Sequence, residues 1–376
     1  MTMPTYLDYN ATAPLKPAVV EAMSAALAET GNASSVHRFG RLARRAIETA
    51  RGQVAALVGA SQHQVVFTAG GTEANNLALA QHRSMRVLAS AIEHESVLGA
   101  AGDAVVIPVD RDGRVDLNAL ERLLGREGGP ALVAVMLANN ETGVIQPVAD
   151  VARIAHGHGA FVHCDAVQAA GKIAIDFAAL GVDTLALSAH KLGGPQGVGA
   201  LVVADRVELQ PMLRGGGQER GRRAGTENTA GIIGFGIAAE LAARDIETIS
   251  RLAGLRDEME ARLRRAAPES IVFGAAAPRL PNTSCIAMPG VAAETQVMAL
   301  DLAGIAVSAG SACSSGKVKP SHVLAAMGAG DLAGNAIRVS GGWRSAPEDF
   351  DRLVEGWTTL WARLGANRAG SAAPAA

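Results

Sequence analysis

Short apolar runs alternate with amphipathic stretches through the middle of the chain. The runs cover residues 65–68, 87–91, 105–109, 132–138, 161–164, 184–188 and 200–203. Several are apolar at successive positions, as strands buried on both faces are. Helix-like stretches lie between most of them, for example 116–124 and 148–155. This alternation predicts an α/β architecture: a mainly parallel, seven-stranded sheet with helices on both faces. Ahead of it, 17–28 and 41–57 read as amphipathic helices, with Gly31 and Gly59 as stop signals. A long helical pattern rich in Arg, Glu, Ala and Leu then runs over 240–267 to Pro268. Beyond it come strand-like 271–273, 284–288 and 336–340 and helix-like 294–302 and 347–364, a smaller C-terminal α/β domain bridged by the long helix. Residues 365–376 are small and polar and read as a disordered tail.

Composition narrows the class. The 376 residues are 49% apolar and 19% charged, which excludes a disordered or fibrous chain. A net charge of −2 argues against a dedicated nucleic-acid or membrane-surface binder. No apolar stretch approaches the roughly 18 residues of a membrane span, and the first ten residues lack the pattern of a signal peptide. The three cysteines, Cys164, Cys285 and Cys313, are odd in number and widely spaced, so a disulfide framework is not expected and a reducing cytoplasm is. Lysine is scarce: Lys16, Lys172, Lys191, Lys317 and Lys319 are all there are.

Three segments carry candidate chemistry. The turn Thr68-Ala69-Gly70-Gly71-Thr72-Glu73 follows a predicted strand and opens a predicted helix. Its N–H groups, the Thr72 hydroxyl and the helix dipole suit a phosphate; the plain alternative is a strand-to-helix turn capped by a threonine. It matches neither a dinucleotide fingerprint nor a P-loop. Next, Asp165 closes the run Phe161-Val162-His163-Cys164-Asp165, at the strand end where open α/β sheets bind ligands. A carboxylate there calls for a cation, such as a protonated heterocyclic nitrogen. A metal is an alternative, given His156, His158, His163 and Cys164 nearby, but adjacent strand residues face opposite sides and the spacing fits no common zinc pattern; no metal is expected.

In the third segment, Ser188-Ala189-His190-Lys191, the lysine follows a buried strand and precedes a glycine-rich turn. Lys16 sits beside a helix start, Lys172 opens an apparently exposed run, and Lys317 and Lys319 lie in a polar loop, which leaves Lys191 as the candidate Schiff-base nucleophile. Phosphate anchor, acidic strand end and buried lysine form the set that pyridoxal 5′-phosphate requires.

At this point the chain resembles the cysteine desulfurases of the NifS/IscS type, within the class V aminotransferases. The resemblance runs from Leu7-Asp8-Tyr9-Asn10-Ala11-Thr12 to Arg338-Val339-Ser340. It rests on Gly71-Thr72-Glu73, Glu93-His94, Asn139-Asn140-Glu141-Thr142-Gly143, His163 to Gln168, Ser188 to Lys191, and Gly310-Ser311-Ala312-Cys313-Ser314-Ser315. It implies the PLP-dependent transferase fold type I, with a large domain over 12–250 and a small domain of 1–11 and 251–364 that carries the cysteine loop.

The resemblance also implies roles. Gly71, Thr72, Ser188 and His190 hold the cofactor phosphate, and His94 stacks on the ring and takes part in proton transfer. Asp165 pairs with the ring nitrogen, Gln168 bonds the phenolic oxygen and Lys191 binds the cofactor covalently. Asn140 and Arg338 bind the substrate carboxylate. Thr226 reaches the phosphate of a neighbouring subunit, which implies a homodimer.

Cys313 lies in a Gly/Ser-rich loop beside Lys317 and Lys319, a setting that favours a reactive thiolate, whereas Cys164 and Cys285 sit in apolar runs. The expected reaction converts L-cysteine to alanine and leaves a persulfide on Cys313 for a sulfur-acceptor protein, an iron–sulfur scaffold among the candidates; thio-cofactor and tRNA sulfuration are other destinations. An aminotransferase, a selenocysteine lyase and a non-catalytic sulfur carrier are the competing readings. The first needs no thiol, and the last would be expected to have lost Lys191 or Asp165.

Overall fold

The computed structural model describes residues 4–81, 85–126, 129–310 and 320–371, with side chains to residue 364. The chain opens with a short strand, β1 (Thr5–Tyr6), followed by helices α1 (Pro17–Ala28) and α2 (Arg38–Leu57). Seven strands then build the large sheet: β2 (Val65–Thr68), β3 (Arg86–Ser90), β4 (Val105–Ile107), β5 (Ala131–Ala134), β6 (Phe161–Asp165), β7 (Thr184–Ser188) and β8 (Gly199–Val203). Their order is β2-β8-β7-β6-β5-β3-β4. β3 to β7 pair in parallel, as the strand–helix alternation predicts, and β8 alone runs antiparallel to both its neighbours.

Burial on both faces explains the continuous apolar runs. On β5, Val133 enters one apolar layer while Leu132 and Ala134 enter the other; on β7, Leu185 and Leu187 oppose Ala186 in the same way. Each such Leu or Val contributes about 1.5–3 kcal/mol. The crossovers carry α3 (Gly71–Ala80), α4 (Glu95–Ala101), α5 (Leu117–Arg126), α6 (Val148–Gly157) and α7 (Phe177–Leu180).

The long helical pattern after the sheet is two helices, α8 (Thr229–Ser250) and α9 (Leu252–Ala266). It begins earlier than the apolar periodicity indicates, where the Asn228 side chain accepts from the Gly231 N–H. It is interrupted at Arg251, where tight three-residue bonds replace four-residue ones: Arg251 N–H donates to the Thr248 carbonyl and Gly254 N–H to that of Arg251. α8 packs closely on α2 because Gly236 has no side chain; a Cβ there would meet Ala50 Cα at 2.7 Å.

The smaller part holds β9 (Ile271–Val272), β10 (Thr283–Ala287), β11 (Ile305–Ala306), β12 (Ser308–Ala309) and β13 (Ala336–Ser340), with α10 (Ala293–Leu302), α11 (His322–Ala326) and α12 (Pro347–Ser371). Four of these strands form an antiparallel sheet in the order β12-β13-β10-β9. β1 pairs in parallel with β11 in a separate two-stranded sheet, and a single bridge from Asp8 to Ser340 joins the N-terminal segment to the four-stranded sheet before it runs on to the large one. α12 extends through Ser371, past the Gly365 at which composition sets the start of a tail. No helix among the described residues is long and apolar enough to cross a membrane.

One buried ion pair ties the arginine-rich stretch 214–223 to the large sheet. Arg51 donates to both carboxylate oxygens of Glu219, at 2.5 and 2.8 Å, and the Phe67 N–H donates to Glu219 at 2.9 Å. Both side chains are buried, and the guanidinium lies over the Phe67 ring at 4.8 Å. Glu219 and its neighbour Arg220 take left-handed φ angles of 48° and 58°, a conformation that costs about 1–2 kcal/mol per residue and that the ion pair must hold. Glu219→Ala leaves the buried Arg51 guanidinium with only the part-exposed Glu48 carboxylate and the Val65 carbonyl, and is expected to cost about 3–5 kcal/mol of unfolding free energy, measured by urea denaturation. A loss of under about 1 kcal/mol, the range of an exposed pair, would contradict that assignment.

Candidate active site

The C-terminal ends of β2, β3, β5, β6 and β7 converge on one cleft of about 270 Å³. Gly71, Thr72, His94, Asn140, Asp165, Gln168, Ser188, His190 and Lys191 all line it, together with Ala11, Ser96, Met136, Ala138 and Val167. This is the crevice that parallel strands with crossover helices create.

At its floor, Asp165 ends β6 and is 7% exposed. Its Oδ2 accepts from Asn75 Nδ2 at 2.8 Å and its Oδ1 from the Val167 N–H at 2.9 Å, both uncharged donors. Asn75 is set in turn by His163, whose Nε2 lies 3.0 Å from Asn75 Oδ1 and whose Nδ1 lies 2.8 Å from Thr184 Oγ1. His163 is thus spent on orienting the carboxylate's partner. A carboxylate buried among neutral donors is a ready partner for a cationic ring nitrogen.

At another wall, α3 starts at Gly71, with Gly70 in the cap position and Thr72 inside the first turn. A Cβ on Gly71 would meet Val167 Cγ2 at 2.8 Å, so the bare backbone is what leaves room there. Ser188 and His190 face the same cleft. Burial first, and the nearby Lys191 charge second, lower His190 to a pKa of about 4, so its imidazole is neutral at pH 7. His94 caps α4, its ring accepting from the Ser96 N–H at 3.1 Å, and that cap fixes its position at the cleft.

Lys191 lies in a short turn just after β7. Its Nζ donates to the main-chain oxygens of Asn10, at 2.5 Å, and Ala11, at 2.8 Å. Gln168 Nε2 donates to the same Asn10 oxygen at 2.9 Å. Lys172 corrects the sequence reading. It is 6% exposed, not on a surface run, and its Nζ donates to Asn10 Oδ1 at 2.7 Å and Gln168 Oε1 at 2.8 Å. Burial, with the Lys191 and Arg338 charges, pushes its pKa well below the usual lysine value.

Arg338 is in the middle of β13 and does not line the cleft. Its Nη2 donates to Asp8 at 2.7 Å and its Nη1 to the Asn140 carbonyl at 3.2 Å, while its buried Nε has no hydrogen-bond partner. The guanidinium therefore reaches the backbone of Asn140 and keeps one unused donor. Thr226 is exposed and lines a different depression, of about 160 Å³, with Thr68, Ala69 and Asn228. Cys164 and Cys285 are buried, and burial raises both thiols above their ordinary pKa, as expected of inert cysteines. Cys313, Lys317 and Lys319 lie outside the described residues.

Sequence reasoning passed over Asn10, Asn75 and Lys172. Asn10 stood inside a recognisable motif, but no local signal marks it, because its partners are 130 or more residues away.

A model of the aminotransferase class-V family matches residues 5–353. The chain belongs to this family. Within it, the relatives are cysteine desulfurases: the chain is 44% identical to one from Gluconacetobacter diazotrophicus over 96% of its own length and 94% of that protein's. It is 40% identical to the cysteine desulfurase IscS of Dictyoglomus turgidum, over 94% of each. Among solved structures, a NifS-like protein from Rickettsia africae superposes with a TM-score of 0.89 at 36% identity, covering 96% of this chain and 99% of that one.

Behind Met136 sits a second buried acid. Glu93 is 1% exposed; its Oε1 accepts from Ser90 Oγ at 2.5 Å and from the Met136 N–H at 2.8 Å, and its Oε2 has no partner. Burial raises its pKa from 4.5 to about 8, with a further push from Asp165. Between those two values the folded chain holds a proton that the unfolded chain releases. Glu93's contribution to stability is thus complete below about pH 4.5 and is lost as the pH rises through about 8. Glu93→Gln, neutral at every pH, is expected to lose less stability than the wild type between about pH 5 and pH 8 in urea titrations. Parallel pH profiles for the two proteins would refute a buried, protonated Glu93.

Proposed function

We propose that the cleft binds pyridoxal 5′-phosphate and that the protein uses it to convert L-cysteine to L-alanine, passing the sulfur to Cys313 as a persulfide. The observation that carries this reading is Asp165: a buried carboxylate served only by neutral donors, in one cleft with a helix N-terminus and Lys191. The residues fit the group. The side-chain-free Gly71 leaves space for a phosphate at the start of α3, where Thr72, Ser188 and the neutral His190 add polar contacts. Asp165 accepts from the ring nitrogen, His94 supplies a flat face, and Gln168 bonds the phenolic oxygen. Lys191 provides the amine that anchors the aldehyde carbon.

When bound, the cofactor supplies an electron sink for charge developing on the substrate. The chain's own residues do the rest. In this reading Asn140 and Arg338 hold the substrate carboxylate; Arg338 stands behind the cleft wall, joined to it through the Asn140 carbonyl, and its guanidinium would turn from that carbonyl to the substrate. Lys191 and His94 move protons at the substrate. The Cys313 thiolate attacks the substrate sulfur. An S–S bond forms, the Cβ–S bond breaks, and its electron pair is protonated at Cβ, so cysteine plus a thiol give alanine plus a persulfide.

Two copies complete the site in this reading, with Thr226 serving the neighbouring subunit's phosphate. The persulfide passes to an acceptor protein, and a reducing, cytoplasmic setting suits the thiol chemistry. No stable nucleic-acid or membrane binding is part of it.

The test is an assay of alanine and sulfide from L-cysteine, with dithiothreitol present to reduce the persulfide and release its sulfur as sulfide, for wild type, Lys191→Ala and Cys313→Ala. The wild type is expected to be yellow and to form both products. Lys191→Ala should lose the colour and both products, and Cys313→Ala should keep the colour while sulfide falls to background. A yellow Cys313→Ala that makes sulfide at the wild-type rate would move the function to an aminotransferase or another lyase.

A further inference from the structure

The reading above leaves a buried lysine unused. Lys172 lies one turn beyond Gln168, which lines the cleft, and donates to Gln168 Oε1 at 2.8 Å and to Asn10 Oδ1 at 2.7 Å. The other end of the same amide, Gln168 Nε2, donates at 2.9 Å to the main-chain oxygen of Asn10, which can only accept. The amide is therefore clamped at both ends, its oxygen on a lysine and its nitrogen on a carbonyl. One N–H of Nε2 is spent on Asn10 and the second remains for the cleft. Asn10 itself cannot turn over: its Nδ2 donates to the Asn140 carbonyl and to Thr283 Oγ1, which leaves Oδ1 to face Lys172.

We propose that Lys172 is the positioning residue of Gln168, holding its amide so that Nε2 is a hydrogen-bond donor to the ligand oxygen in the cleft. Without this clamp the amide can turn and present its oxygen, an acceptor that repels an anionic oxygen. The inference rests on the proposal that the cleft holds pyridoxal 5′-phosphate, whose phenolic oxygen is the one in question. The charged groups around Lys172 are Lys191, Arg338 and, across a small void of about 30 Å³, Lys16 paired with Asp245 at 2.6 Å. None of these bonds Gln168, so Lys172 is the group that acts on the amide oxygen.

The readout is the visible absorbance of the bound cofactor against pH. The nitrogen joining Lys191 to the cofactor shares its proton with the phenolic oxygen, and a donor on that oxygen weakens its hold on the proton. Losing the donor thus raises the titration midpoint. Lys172→Met in the holoenzyme is expected to raise it by about one pH unit, the size of one hydrogen bond to a charged oxygen. In a Gln168→Leu background, the same substitution should add no further shift, because its target is gone.

Lys172→Arg, which keeps a donor and the charge, should stay near the wild-type midpoint. An unchanged midpoint in Lys172→Met, or an equal shift with and without Gln168, would overturn the inference: in the second case the lysine acts through its charge alone. If Lys172→Met does not fold, by circular dichroism, Lys172→Gln takes its place in the same cycle under the same criteria. A wild-type protein that takes up no cofactor would instead overturn the reading beneath it.

Discussion

Asn10 is the joint on which the cleft depends. It is 1% exposed, and every polar atom it has is used. Its N–H donates to Ser340 Oγ; its carbonyl accepts from Lys191 and Gln168; its Nδ2 donates to the Asn140 carbonyl and Thr283; its Oδ1 accepts from Lys172 and Asn282. Ser340 and Thr283 belong to the small sheet, while Lys191, Gln168 and Lys172 follow strands of the large one. One side chain thus sets the distance between the two sheets at the point where the cleft lies. Each of these groups, if left buried and unpaired, costs about 1–3 kcal/mol, so the arrangement stands or falls as a unit. The same segment also carries Asp8, whose carboxylate holds Arg338 on one oxygen and Ser308 on the other.

This joint gives the cleft its electrical polarity. At one end the Asp165 carboxylate faces neutral donors; at the other, Lys191, Lys172 and Arg338 lie around the N-terminal segment. Burial first, and repulsion from the nearby Lys191 and Arg338 charges second, make Lys172 give up its proton more easily than an ordinary lysine. The main-chain oxygens of Asn10 and Ala11 and the side-chain oxygen of Asn10 offset that repulsion without adding charge. A ligand with a cationic ring nitrogen and anionic groups elsewhere neutralises both ends at once. That complementarity supports the proposed cofactor independently of any single contact.

Most of the large sheet was legible because its signal is local. The run 65–68 is β2 and the run 184–188 is β7, residue for residue, since both are bounded by turn-forming positions and filled with β-branched or apolar residues. Of the cleft-lining residues, Gly71, Thr72, Asp165 and Lys191 were legible for the same reason, at strand ends or the following helix start, whereas His94, Asn140, Gln168, Ser188 and His190 entered through the family resemblance. What escaped has long-range causes. Lys172 follows Ala169-Ala170-Gly171, which reads as an exposed turn; only the N-terminal segment, some 160 residues earlier in the chain, covers it. Arg251 breaks the long helix with neither proline nor glycine to announce it. Arg338 looked like a free ligand for a carboxylate, whereas much of its guanidinium is bound to Asp8, a partner no spacing rule connects to it.

The exposed position of Thr226 acquires a physical reason from the buried pair beneath it. In the proposed dimer a residue serving the other subunit would have to project from its own surface and still be held in place, and a glycine-rich stretch such as 214–225 does neither by itself. Glu219 supplies the anchor. It is bonded to Arg51 and to the Phe67 N–H, and Phe67 is on β2, whose end leads directly into Gly71 and α3. The strand that sets the proposed phosphate site of one subunit therefore also fixes the base of the segment that would complete the site of the other. Two residues in left-handed φ angles are tolerated there because the ion pair, desolvated on both sides, costs more to break than the backbone costs to bend.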